Sequence, residues 1–254
     1  MQTKSHFLYT IYILWLRQLK RYFRSKSRMI GSLGQPILFL VALGFGLNSV
    51  FSASGKGNYI QFLSPGIIAM SILFTAIFSG IELIWDRQFG FLKETMVAPV
   101  SRFSIMLGRT LGGATVASFQ GILVLVISLF IGFRPDLFLI VPALVFMILI
   151  ALVFTALGTA IASMLEDMQG FQLIMNFVVM PVFFLSGALF PLDQAPTALK
   201  VTADLNPLTY GIDGLRSLLV GASLHSVWTD FSVLVVVSMV FVGIGAWLFS
   251  KIKI

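Results

Sequence analysis

The chain has 254 residues, 58% hydrophobic and only 11% charged, with a mean hydropathy of +0.99. Soluble domains carry about 25% charged residues, so a soluble fold is excluded and an all-α polytopic membrane protein is expected. The net charge of +7 reflects Lys and Arg gathered in cytoplasmic segments rather than a nucleic-acid partner, and the lack of cysteine excludes disulfides and thiolate-bound metal.

Residues 5–28 read as an amphipathic helix. With Arg17 as origin and ~100° per residue, Lys20, Arg21, Arg24 and Arg28 fall within ~60° of it. Leu8, Tyr12, Trp15, Leu19, Tyr22 and Phe23 fall opposite, and Lys26 is the exception. A basic face backed by aromatics describes a helix in the cytoplasmic headgroup layer, in contact with membrane lipid. Plain positive-inside flanking charge for the first span is the alternative, but it does not require the bases to share a face. No cleavable signal peptide is expected, because no small-residue cleavage site follows a short apolar core.

Six spans follow, each near the ~20 apolar residues that cross a bilayer: residues 29–51, 60–85, 103–133, 137–165, 171–190 and 226–249. Spans three and four are joined by the hairpin GFRPD, where Pro135 stops a helix. Residues 191–224 are too apolar for a plain linker, and Pro191, Pro196 and Pro207 divide them. Short helices re-entering the outer leaflet against the protein are expected there, with an exposed loop as the alternative.

Lys and Arg set the orientation. Lys4, Arg17, Lys20, Arg21, Arg24, Lys26 and Arg28 precede span one, Arg87, Lys93, Arg102 and Arg109 follow span two, and Lys251 and Lys253 end the chain. The opposite side has Lys56, Arg134, Lys200 and Arg216. Both termini and the loop after span two are therefore expected in the cytoplasm.

The sequence offers little chemistry of its own. It has no Ser/His/Asp grouping, no HExxH, no acids at metal-ligand spacing and no phosphate-binding loop, since SGKGNY at 54–59 lacks the spacing and hydroxyl. No catalytic residue, metal site or chain-bound cofactor is expected. Glu82 is taken as the one acid within a span, near enough to its cytoplasmic end to reach water. Gln172 and Asn176 are expected to hydrogen-bond between helices. The two histidines, His6 and His225, fall near membrane ends. A chain that moves cargo uphill without an engine must take energy from another chain at its cytoplasmic face.

The contact surface is expected in WDRQFGFLKETMVAPVSR, residues 85–102. One helix over 86–98, mildly weakened by Gly90 and ended by Pro99, would raise an apolar ridge of Phe89, Leu92 and Met96, with Phe91 nearby. Asp86, Arg87, Lys93 and Glu94 would form its polar edges. A short helix with an apolar knob and charged rim suits docking into a partner's groove. A solvated connector is the alternative.

Three stretches carry a resemblance: DRQFGFLKETMVAPVSRFSIMLGR (86–109), VVMPVFFLSGALFPLDQAP (178–196) and LNPLTYGIDGLR (205–216). In this order they resemble the membrane subunits of ABC-2 type (type V exporter) ABC transporters, in the branch of daunorubicin-type drug exporters and nodulation-factor exporters. The resemblance implies an interfacial connecting helix at 5–28, a coupling helix at 86–98 seated in an ATPase subunit, and re-entrant helices at 191–224. It further implies two paired copies of the chain, with spans one and five expected to form the contact, and two copies of an ABC ATPase carrying ATP and Mg. The setting would be a prokaryotic cytoplasmic membrane. Glu94 matches an acid common in the family's signature. Where members often have a further acid before the glycine, this chain has Gln88 and Phe89. Export of a drug-like or lipid-like amphiphile is expected. Export of a polysaccharide or glycolipid is the alternative, followed by an ATP-independent carrier or channel and, last, an intramembrane enzyme.

Overall fold

The structure is a computed structural model that describes residues 2–55, 57–97, 100–193 and 195–252, with residues 2–6 described for backbone only. Twelve α-helices are described, and no strand among the described residues. They are α1 (Gln2–Arg24), α2 (Lys26–Gly46), α3 (Asn48–Ala53), α4 (Tyr59–Phe78), α5 (Ile81–Gln88), α6 (Phe91–Val97), α7 (Arg102–Ile131), α8 (Ile140–Met164), α9 (Met168–Phe184), α10 (Thr197–Asp204), α11 (Pro207–Val220) and α12 (Val227–Ser250).

Five stretches are long and apolar enough to cross a membrane: α2, α4 continued through α5, α7, the segment Leu137–Met164, and α12. The sixth expected span, α9, is a shorter apolar helix of 17 residues. At 1.5 Å per residue it is ~25 Å long, just under the ~30 Å hydrocarbon core. The protein is a polytopic helical membrane protein. Its helix ends carry the expected polar caps. Asn58, Ser101, Asp167 and Asn206 each accept a hydrogen bond from a backbone N–H in the turn they open.

The first span begins at Lys26 and ends at Gly46 rather than covering 29–51, because the chain breaks at Ser25 and again at Leu47 before α3. α4 is the centre of the bundle, with α2, α7, α8 and α11 around it. Apolar side chains gain little by leaving lipid for other apolar side chains, so close backbone approach carries the packing. The Gly-rich start of α7 shows this. A Cβ on Gly112 would lie 2.7 Å from the Gln18 side chain, and one on Gly108 would lie 3.0 Å from the Ile11 carbonyl oxygen. Two glycines four residues apart thus form the groove in which α1 rests.

One end of the bundle gathers the start of α1, the start of α7 and the end of α12. The Phe7 and Phe103 rings stack at 6.3 Å, and the Arg102 guanidinium donates to the carbonyls of Ser250 (2.6 Å) and Ile252 (2.9 Å). At the other end α11 is wedged against α4, α8 and α12. There the Arg216 guanidinium donates to the Gly187 and Phe62 carbonyls at 3.2 and 3.3 Å and lies 3.9 Å over the Phe62 ring.

Candidate functional site: an arginine cluster around two buried acids

Two acids lie on α5 one turn apart, Glu82 and Asp86, and both are buried. Ionised carboxylates persist in such a place only when paired and hydrogen-bonded. α1 and α7 supply the partners. Arg17 grips Asp86 with both guanidinium nitrogens, at 2.8 and 3.0 Å, a geometry that fixes orientation as well as charge. Arg109, itself buried on α7, donates to the same carboxylate. Arg28 donates to Glu82 at 3.0 Å, and Arg21 lies 3.7 and 3.8 Å from Glu82 and Asp86.

The aromatic rings of the loop join this cluster. The Arg17 guanidinium stacks 3.7 Å from the centre of the Phe91 ring on α6, and Arg21 lies 5.3 Å over Trp85. α1 is thereby fastened to both halves of the loop after span two. It is also fastened to α7, where Trp15 donates to Thr115 at 3.0 Å and the Tyr22 hydroxyl donates to Gln120. Burial pushes the Tyr22 hydroxyl above its usual range, partly offset by Arg28, so it remains a donor.

Several expectations are corrected by this geometry. The basic face of α1 does not face headgroups uniformly. Lys20 and Arg24 are exposed, whereas Arg17 and Arg21 turn toward Asp86 and Glu82, which they share with Arg28 and Arg109. Glu82 is buried rather than wet. It is also not alone among acids in the spans, since Asp230 is fully buried in the first turn of α12.

The expected single helix over 86–98 is two helices. Gly90 adopts φ +80°, a left-handed conformation that glycine takes without Cβ strain, and the chain bends between α5 and α6. Asp86 is therefore interior, not a docking edge. Arg87 is half-buried and donates to the Leu165 carbonyl at 2.9 Å, tying the loop to the α8–α9 connection. Leu92 is buried, Met96 is partly buried against the core, and Phe91 lies under Arg17. What projects is Phe89, 81% exposed, with Gln88, Lys93, Glu94 and Val97 around it. Val97 joins this exposed set although a single straight helix over 86–98 places only Phe89, Leu92 and Met96 on its apolar ridge. Ala98 and Pro99 lie outside the described residues.

Beside the cluster is a cavity of about 390 Å³ between α2, α4 and α7, whose lining includes Tyr22, Arg28 and Glu82. Its wall includes Pro36, Met70, Phe74, Phe78 and Val116. On the other face of α1, an open groove of about 710 Å³ is lined by Arg17, Lys20, Arg21 and Arg24.

A multi-helix membrane protein with an N-terminal helix clamped to the loop after its second span is the class that fold and site define. Residues 9–220 match the ABC-2 type transporter family, and the chain belongs to it. Similar proteins include the putative transport permease ycf38 of Cyanophora paradoxa, 30% identical over 96% of this chain and 84% of the relative. Nodulation protein J of Rhizobium leguminosarum bv. trifolii is 30% identical over 83% of this chain and 78% of its own length. The inner membrane transport permease YadH of Escherichia coli (strain K12) is 28% identical over 90% of each chain.

Proposed function

We propose that this chain is the membrane subunit of an exporter driven by a separate ABC ATPase, and that its cargo is an amphiphile. The reading rests chiefly on Phe89. A large apolar side chain stands free at a bend whose two arms are locked to α1 and α7 through Asp86, Arg17, Arg109 and Phe91. A force applied at the bend therefore reaches three helices at once. Phe89 is the knob for a groove on the ATPase, and Lys93 and Glu94 form the rim. ATP and Mg stay on the partner. The cavity beside the cluster supports the cargo class, because its lining is mostly apolar and also includes the Arg28–Glu82 pair, which suits a chain with a polar head.

In this reading two copies pair through α2 and α9. α9 buries Phe171, Met175, Val179 and Phe183 and turns Gln172, Leu173, Asn176 and Phe177 outward. Amide side chains facing lipid are costly, and a second copy would satisfy them. The membrane is the cytoplasmic membrane of a prokaryote, with both termini inside, and residues 191–224 re-enter from the outer side.

Phe89→Ala tests the coupling. Its stability should change by less than about 0.5 kcal/mol, while ATP-driven transport of a fluorescent amphiphile into inverted vesicles falls at least about tenfold, equivalent to ~1.4 kcal/mol of coupling. Full transport by a variant that still co-purifies with its ATPase would remove Phe89 from the contact. Because the chain lacks cysteine, Phe177→Cys reports pairing cleanly. An oxidant should yield a covalent dimer in membranes, and persistent monomer would move the interface elsewhere.

A further inference from the structure

At the α11 end, far from the arginine cluster, three side chains converge: Asp213 on α11, His225 in the connection, and Asp230 on α12. Asp213 and Asp230 are buried, at 1% and 0% exposure. Their oxygens and an imidazole nitrogen of His225 all lie within 4.8 Å of one another. Asp213 is oriented by the backbone, accepting from the N–H groups of Leu224 (2.8 Å) and His225 (2.7 Å). Asp230 is not, since neither of its carboxylate oxygens has a hydrogen-bond partner, and neither has the His225 Nδ1 that faces them. That nitrogen lies 3.4 Å from Asp213 and 3.9 Å from Asp230.

Two buried carboxylates facing each other cannot both stay charged without a cation between them. Arg216 acts on Asp213 through its charge, but its hydrogen bonds run from one nitrogen to the Gly187 and Phe62 carbonyls rather than to either acid. We infer that Asp213, His225 and Asp230 form a binding site for a divalent transition-metal ion, zinc in the first instance. Bonds of about 2.0–2.2 Å to a tetrahedral zinc hold ligand atoms ~3.3 Å apart, close to the 3.4 Å seen here and within a small adjustment of the 3.9 Å. One nitrogen and two oxygens suit zinc better than calcium, which takes six or more oxygens. The far nitrogen of the imidazole has a carboxylate nearby, though beyond hydrogen-bond distance. Nε2 lies 4.0 Å from Asp204, and the Tyr210 ring packs on the imidazole at 5.3 Å. His225 is partly exposed, which leaves a path for the ion and a place for a water as fourth ligand. The bound ion would pin the α11–α12 connection to the first turn of α12.

The test is zinc binding to the full-length chain, purified in detergent and stripped with a chelator. Equilibrium dialysis should give about one zinc per chain at micromolar free metal, with calcium failing to compete. His225→Gln and Asp230→Asn should each weaken binding at least about tenfold while eluting as the wild type does on gel filtration. Cobalt in place of zinc should give the visible absorption of a tetrahedral site in the wild type and none in His225→Gln. Failure of the wild type to hold stoichiometric zinc or cobalt would overturn the proposal, as would equal binding by both variants. So would a metal-independent rise in stability from pH 8 to 6 that His225→Gln abolishes, because a protonated imidazole alone would then bridge the acids.

Discussion

Both ends of the bundle bury a pair of acids, and they handle the charge in opposite ways. At the arginine-rich end, Glu82 and Asp86 face Arg17, Arg21, Arg28 and Arg109, an excess of cations. At the α11 end, Asp213 and Asp230 face one histidine, Arg216 acts on Asp213 through its charge alone, and neither oxygen of Asp230 has a hydrogen-bond partner. Burying a charge is costly in either place. The first end meets that cost from within the chain and ties three helices together in doing so. The second leaves Asp230 without a hydrogen-bond donor, a deficit that a bound metal ion or a proton would make up. Substitutions at the two ends should therefore differ in sign as well as size.

The largest effect is expected at Asp86. Asp86→Leu leaves Arg109 buried without its hydrogen-bonded carboxylate, with only the more distant Glu82 to act on it, and breaking one side of a buried pair costs about 3–5 kcal/mol. Thermal unfolding in detergent should register the loss. A second change, Arg109→Met, removes the stranded charge and should restore most of the stability. If the single variant is as stable as wild type, the cluster is not holding α1, α5 and α7 together.

Asp230→Asn should act in the opposite direction when no metal is present. Replacing an unsatisfied buried carboxylate with a neutral amide relieves a desolvation penalty of about 1–3 kcal/mol, so in chelator the variant should be more stable than wild type. Added zinc should then stabilise the wild type and leave the variant unmoved. A variant less stable than wild type in chelator would mean that Asp230 already has a cation from within the protein, and the contrast between the two ends would collapse.

The hydrophobic runs made the membrane architecture legible in the sequence, because span length is set by bilayer thickness. The amphipathic character of residues 5–28 was equally legible. The destination of its arginines was not, since Arg17 and Asp86 are 69 residues apart and Arg109 and Asp86 are 23 apart. A helical wheel shows which residues share a face but not what that face meets. The bend at Gly90 hid for a different reason. Glycine tolerates a helix interior at a cost of ~1 kcal/mol, so the residue alone does not separate a weak helix from a left-handed turn. That one choice moved Phe89 outward and Asp86 and Leu92 inward. At the α11 end the signal was sparser still. Asp213, His225 and Asp230 follow no metal-ligand spacing, because a short connection between two helices, rather than one helix face, brings them together. Asp230 in an apolar span was the available clue, since a buried acid there demands a partner.

The smallest effect is expected at Arg28, and it sharpens the contrast most finely. Arg28 is partly exposed (39%) and bonds Glu82 at 3.0 Å, while Arg21 stands 3.7 Å from the other oxygen of the same carboxylate. Arg28→Gln thus removes one cation and leaves another in place. Exposed pairs contribute about 0–1 kcal/mol, so the loss should fall in that range. It should shrink further as salt rises toward 1 M, where the screening length is ~3 Å. Asp86→Leu, whose stranded guanidinium is buried, should respond much less to salt. A loss at Arg28 as large as that at Asp86, and indifferent to salt, would mean that Glu82 depends on one arginine alone. The cluster would then be a chain of single contacts rather than a shared pool of charge, and α1 would be released by breaking any one of them.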